Sequence, residues 1–244
     1  MKRTIFILGR ETAIAEAEIH ALLHRLAPES DLTFTRLGDA LQIEHKTDLP
    51  TEHLARELGG TQYIAESIIE DEKFTPLENI QSHITTHAGE GKTLFTLLPP
   101  LTERDGLTIK KYLREHAVRA RFIPYHNTAT ILHNNLRTEG GAYLIRGNTA
   151  YRINQIQDFE SFATRDMEKP RRNAKRGMLP PKLARILINL SLIEKHHTLL
   201  DPFCGSGTLL MEAAEIGVTH ICGSDKSPDA VYDSQQNMGW LSEH

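Results

Sequence analysis

Residues 199–217, LLDPFCGSGTLLMEAAEIG, constrain the fold of this chain more than any other stretch. An apolar run stops at Asp201, the backbone turns on Gly205-Ser206-Gly207, and an amphipathic pattern begins at once. A strand that passes through a glycine turn straight into a helix aims backbone N–H groups at whatever lies above the strand end. The positive end of the helix points the same way. The unit therefore predicts an α/β sheet with an anionic or zwitterionic ligand at its edge.

The two glycines fill the first positions of the pattern G-x-G-x-x-G, but the third position is Leu210. In a dinucleotide site that third glycine lets the helix pack close to the strand, so a nicotinamide or flavin site is weakened here. Phe203 and Cys204 also crowd the turn from the strand side. Downstream, THICGSDKSPDAV reads as a second strand ending at Asp225. That is about 20 residues past the loop, where a carboxylate accepts hydrogen bonds from ribose hydroxyls. Asp201 suits an ammonium, and the loop amides suit a carboxylate. A ligand with both a ribose and a zwitterionic amino acid is S-adenosylmethionine (SAM) rather than a nucleotide phosphate.

Composition narrows the rest. The chain has 244 residues, room for one large domain or two small ones. No apolar run approaches the roughly 18 residues of a membrane span, and MKRTIFILGR has too few apolar residues for a signal peptide. Two cysteines, Cys204 and Cys222, set neither a disulfide framework nor a metal spacing. These features point to a soluble cytoplasmic protein without a metal centre. The net charge of −4 hides an asymmetry. Residues 1–90 carry 8 Lys/Arg against 16 Asp/Glu, residues 91–195 carry 19 against 9, and residues 196–244 carry 1 against 7. A basic middle between acidic ends predicts a local contact with a polyanion.

Along the chain, IFILGR reads as a strand, and residues 11–27 as a helix with Ile14, Ala17, Ala21 and Leu22 on one face. Strand-like LTFTRLG and ALQIEH follow, then a helix at LPTEHLARELGG and a strand at TQYIAESII. PLENIQSHITTHAGEG is helical, KTLFTLLPP a strand, GLTIKKYLREHAVRAR a helix, and GGAYLIRGNTAYRINQIQ a hairpin. Residues 157–177 show little apolar periodicity and read as a linker, while MLPPKLARILINLSLI is a helix with proline near its start. Two motifs are set aside. AGEGKT at 88–93 ends like a P-loop but has Thr86 where glycine is required, and a strand where a helix should follow. The pairs His20/His24 and His83/His87 have no third ligand at metal spacing.

Taken together, DPFCGSGTLLMEA resembles motif I of class I SAM-dependent methyltransferases that act on guanine amino groups in RNA. RDMEKPRRNAKRGMLPPKLARILINL resembles the lead-in to that domain in THUMP-containing tRNA guanine-N2-methyltransferases. FILGRETAIAEAEIHALL is similar to the ferredoxin-like module of the same family, and KKYLREHAVRARFIP with TATILHNNL to its THUMP portion. The resemblance implies an α+β N-terminal half followed by the first part of an α/β Rossmann-like methyltransferase domain. The implied boundaries are 1–60 (ferredoxin-like), 61–150 (THUMP-like, RNA-binding), 151–177 (basic linker) and 178–244 (incomplete methyltransferase domain).

It further implies SAM as cofactor, held by Asp201, Phe203, Cys204, Gly205, Ser206, Gly207, Thr208 and Asp225. The partner is tRNA, with Lys110, Lys111, Arg114, Arg119, Arg121, Arg165, Arg171, Arg172, Lys175 and Arg176 near its phosphates. The family's catalytic motif, an acidic or amide residue before Pro-Pro-Tyr, has no match after Asp225. The sequence reading is therefore of a truncated chain that does not methylate RNA alone, its sheet completed by a missing segment or a second polypeptide. The competing readings are a stand-alone RNA-binding module, a dinucleotide-dependent oxidoreductase fragment and a DNA-methylating relative.

Overall fold

The computed structural model describes residues 1–27, 31–68, 73–173, 178–194 and 196–243. They form two compact units that interleave along the sequence. One comprises residues 1–7, 30–49 and 63–156, the other residues 8–29, 50–62 and 157–244.

The first unit is built on an eight-stranded mixed sheet. Its strands are β1 (Lys2–Leu8), β2 (Thr33–Leu37), β3 (Ala40–His45), β4 (Thr61–Ile68), β5 (Thr93–Leu97), β6 (Ala120–Phe122), β7 (Gly140–Arg146) and β8 (Thr149–Ile156), in spatial order β2-β3-β1-β4-β8-β7-β5-β6. The hairpin expected over residues 140–157 is present as β7 and β8, paired antiparallel from Arg146↔Thr149 to Tyr143↔Arg152. β5 runs parallel to both its neighbours, β6 and β7. Parallel pairing needs crossover segments, and α4 (Glu103–Glu115) and α5 (Thr128–His133) are part of them. Strands from the first 60 residues thus share one sheet with strands from residues 61–156, so the units do not follow the boundaries expected from sequence.

Helix α3 (Pro76–Thr86) and α4 each begin on a capping box, Thr75 with Glu78 and Thr102 with Asp105. The caps start α4 at Glu103, before the apolar periodicity becomes visible. Leu113, Ile109 and Phe95 lie in a core with Ile80, Ile84 and Tyr143. The AGEGKT stretch leads into strand β5, as expected.

The second unit collects α1 (Thr12–Leu26), α2 (Thr51–Glu57), α6 (Phe159–Met167), α7 (Pro181–Leu190), β9 (Thr198–Asp201), α8 (Thr208–Glu215), β10 (His220–Gly223) and α9 (Pro228–Leu241). β9 and β10 pair in parallel, Thr198↔His220 through Asp201↔Gly223. Two expectations are corrected here. The buried face of α1 is Ala15, Glu18, Ile19, Leu22 and Leu23, not the face through Ala17, which is exposed. A carboxylate belongs on that face because Glu18 accepts hydrogen bonds from the amides of Gly59 and Gly60 and from Asn189 Nδ2, at 2.7–2.8 Å. The supposed linker 157–177 contains α6, capped by Asp158 and anchored by buried Phe162 and Arg165. Its periodicity was hidden because the second anchor is an arginine.

Among the described residues, no helix is long and apolar enough to cross a membrane.

Candidate functional site

Two backbone bonds tie the end of β9 and the loop after it to the segment after β10, and a third closes the glycine loop on itself. Ser224 N donates to Asp201 O, Cys204 N to Ser224 O, and Gly207 N to Cys204 O, at 2.7–2.9 Å. Within this frame Asp201 Oδ1 accepts from Phe203 N at 3.0 Å, an Asx turn that bends the chain away from the strand. Asp225 closes the loop from the other side. Its Oδ2 accepts from Gly205 N at 3.1 Å and its Oδ1 from Ser227 N at 3.0 Å.

Gly205 and Gly207 have φ of +53° and +79°, the left-handed region that glycine enters without steric cost. The two differ in what surrounds them. A Cβ on Gly205 would meet nothing within 4 Å, whereas one on Gly207 would stand 2.5 Å from Ser234 Oγ. Gly207 is the N-cap of α8, so close packing of α9 against the loop requires glycine there.

The loop opens on a cavity of about 470 Å³ lined by Asp201, Phe203, Cys204, Gly205, Ser206, Thr208, Leu209, Asp225, Lys226 and Ser227, with Asn173 and Leu179 from the lead-in. The size is that of a small-molecule site. All the residues expected at the cofactor therefore converge on one cavity, except Gly207, which packs behind it. Phe203 is 84% exposed, an aromatic face open to a planar partner. Burial pushes the Cys204 thiol above its ordinary range, which suits a packing role rather than a nucleophilic one.

Sequence reasoning missed the second layer. Asn237 Oδ1 accepts from Arg171 N, and its Nδ2 donates to Arg171 O and Ser206 O, at 2.8–2.9 Å. This residue of α9 thereby fixes the lead-in against the glycine loop. Lys169 was missed as well; its Nζ donates to Thr208 Oγ1 at 2.9 Å from a buried position. An isolated Asn or Lys carries no sequence signal for such a contact.

The basic residues divide. Lys110, Lys111, Arg114 and Arg119 line one concavity of about 760 Å³, together with Lys92, which the sequence reading did not include. Arg121, Arg171 and Arg172 are exposed, and the Arg171 guanidinium lies over the Tyr232 ring at 5.3 Å. Arg165 is corrected. It is buried, with Nε 2.5 Å from Glu212 Oε1 and Nη1 3.2 Å from Glu215 Oε2, so it is a structural ion-pair partner rather than a phosphate contact. Lys175 and Arg176 lie outside the described residues.

Residues 169–238, which span the lead-in, the loop, Asp225 and most of α9, match the family model UPF0020, RMKL-like, methyltransferase domain. This segment is similar to that methyltransferase domain over 70 of the chain's 244 residues. A tRNA (guanine(10)-N2)-dimethyltransferase of Methanothermobacter thermautotrophicus is 40% identical over 62 residues, 25% of this chain and 18% of that protein. A probable enzyme of the same description from Methanothermococcus thermolithotrophicus is 46% identical over 57 residues, 23% of this chain and 35% of its own length. The chain thus matches about a third or less of the length of these relatives. Two crystal structures share the fold over 99% of the chain. TrmN from Thermus thermophilus has TM-score 0.52 and 17% identity, with 70% of that protein covered. A possible methylase from Clostridium difficile 630 has TM-score 0.51 and 14% identity, with 73% covered.

Proposed function

We propose that this chain provides the donor site and an RNA-binding surface of a SAM-dependent methyltransferase acting on the exocyclic N2 of a guanosine in tRNA. The observation that carries this reading is the convergence of the glycine turn, the start of α8 and the Asp225 carboxylate on one cavity. The residues fit the donor: Asp225 presents a carboxylate at the position suited to ribose hydroxyls, the N-terminus of α8 and Thr208 offer hydrogen bonds to the amino-acid carboxylate, and Asp201 offers a carboxylate to the ammonium. Bound there, SAM would supply an electrophilic methyl group to the guanine nitrogen. The lone pair of that nitrogen is delocalised into the ring, so orientation is the principal task.

Substrate identity rests on the relatives named above and on the basic concavity at α4. Lys92, Lys110, Lys111, Arg114 and Arg119 surround it and would contact phosphates without reading sequence. Within this reading, residues 61–150 correspond to the THUMP-like part of the chain and residues 1–60 to the ferredoxin-like part.

Thermal unfolding tests the donor assignment. S-adenosylhomocysteine (SAH) at a hundred times its Kd should stabilise the protein by about 2.7 kcal/mol. Stabilisation by NADH instead of SAH or SAM would overturn the proposal in favour of a dinucleotide site.

A further inference from the structure

Lys169 is 2% exposed, does not line the cavity, and gives its ammonium to Thr208 Oγ1 at 2.9 Å. Thr208 is the first residue of α8 and does line the cavity. The contact is held in register, because Asn237 clamps the backbone two residues after Lys169 and the loop carbonyl of Ser206 together. Burial lowers the proton affinity of the Lys169 amine, while Asp166 and Glu212 favour its charged form and Arg172 opposes it.

An ammonium group has only donors, so Thr208 Oγ1 is the acceptor in this contact and the hydroxyl proton must point elsewhere. Among the described residues no acceptor takes that proton. We propose that Lys169 is a positioning residue, which fixes the Thr208 hydroxyl as a donor to the amino-acid carboxylate of the methyl donor and sets a positive charge behind the start of α8. The inference rests on the donor site proposed above and adds to it a residue outside the cavity that selects for the carboxylate. That carboxylate is remote from the transferred methyl group, so the contact acts alike on substrate and product and governs affinity rather than the chemical step.

Calorimetry on the full chain separates this role from a merely structural one, with two ligands that share the adenosine and sulfur. SAH carries the amino-acid group, and 5′-deoxy-5′-methylthioadenosine lacks it. Lys169→Met and Thr208→Val should each weaken SAH about tenfold and leave methylthioadenosine within about twofold. Thr208→Ser, which keeps the hydroxyl, should retain most of the SAH affinity. The double variant should lose no more than the weaker-binding single variant, because both act through one contact. Equal weakening of both ligands, or undiminished SAH affinity, overturns the positioning role and leaves the donor site standing. Wild-type protein that binds neither ligand overturns the donor site itself, and this inference with it. If Lys169→Met does not fold, the comparison of Thr208→Val with Thr208→Ser decides the same point.

Discussion

Alanine at Gly207 should destabilise the second unit much more than alanine at Gly205, although both glycines are left-handed. At Gly205 the added methyl meets nothing within 4 Å, so the cost is that of the backbone alone, about 1–2 kcal/mol. At Gly207 the same backbone cost applies, and the methyl also stands 2.5 Å from Ser234 Oγ, 3.1 Å from Ser234 Cβ and 3.2 Å from Ser234 Cα. Overpacking of that kind adds about 1–3 kcal/mol, for a total of about 2–5 kcal/mol. Ser234→Ala in the Gly207→Ala background removes the nearest contact and should return part of the difference. The assay is urea unfolding followed by the fluorescence of Trp240, the single tryptophan, which lies in α9 with Ser234. Midpoints that shift without a change in slope report stability directly. Equal losses at the two glycines would refute the claim that close packing of α9 dictates glycine at position 207.

Three further outcomes are expected. Glu212 is fully buried between Arg165 and Arg185, so Glu212→Gln leaves two guanidiniums without their shared charge and should cost about 3–5 kcal/mol by the same unfolding assay. Burial first, then His87 and Arg152, hold the His83 imidazole down to about 4. Below its ordinary value of 6.5 the unfolded chain therefore binds the proton and the folded one does not. Stability should fall as pH drops from 6.5 through about 4, and His83→Gln should flatten that slope in a pH series of melting curves. Reversing Lys110 and Lys111 to glutamate should weaken tRNA binding and reduce the salt slope by roughly one unit per lost phosphate contact in a filter-binding titration. An unchanged slope would show a merely solvated face.

The parts of the fold legible in the sequence are those where one residue type answers to one local need. Glycine at 205 and 207, a strand stopping at Asp201 and a carboxylate at Asp225 needed no tertiary knowledge; Asp201, Gly205 and Asp225 meet at one cavity, with Gly207 packed behind it. The hairpin of β7 and β8 was readable for the same reason, from alternation alone. What stayed hidden was set by distant partners. Glu18 is buried because two amides from the segment after α2 end on it, and Arg165 is buried because Glu212 and Glu215 wait on α8. Charged residues on buried faces erase the apolar periodicity by which helices are recognised, so the face of α1 was misassigned and α6 read as linker. The split into units was likewise invisible, because α1 and α2 belong with residues far along the chain.

A crystal structure of the chain with SAH tests the central claim most directly. The ligand should lie in the cavity of the Gly205 loop, with ribose hydroxyls within hydrogen-bond distance of the Asp225 carboxylate and the amino-acid carboxylate at the start of α8 beside Thr208. Density for the ligand in any other crevice, with this loop empty, would contradict it.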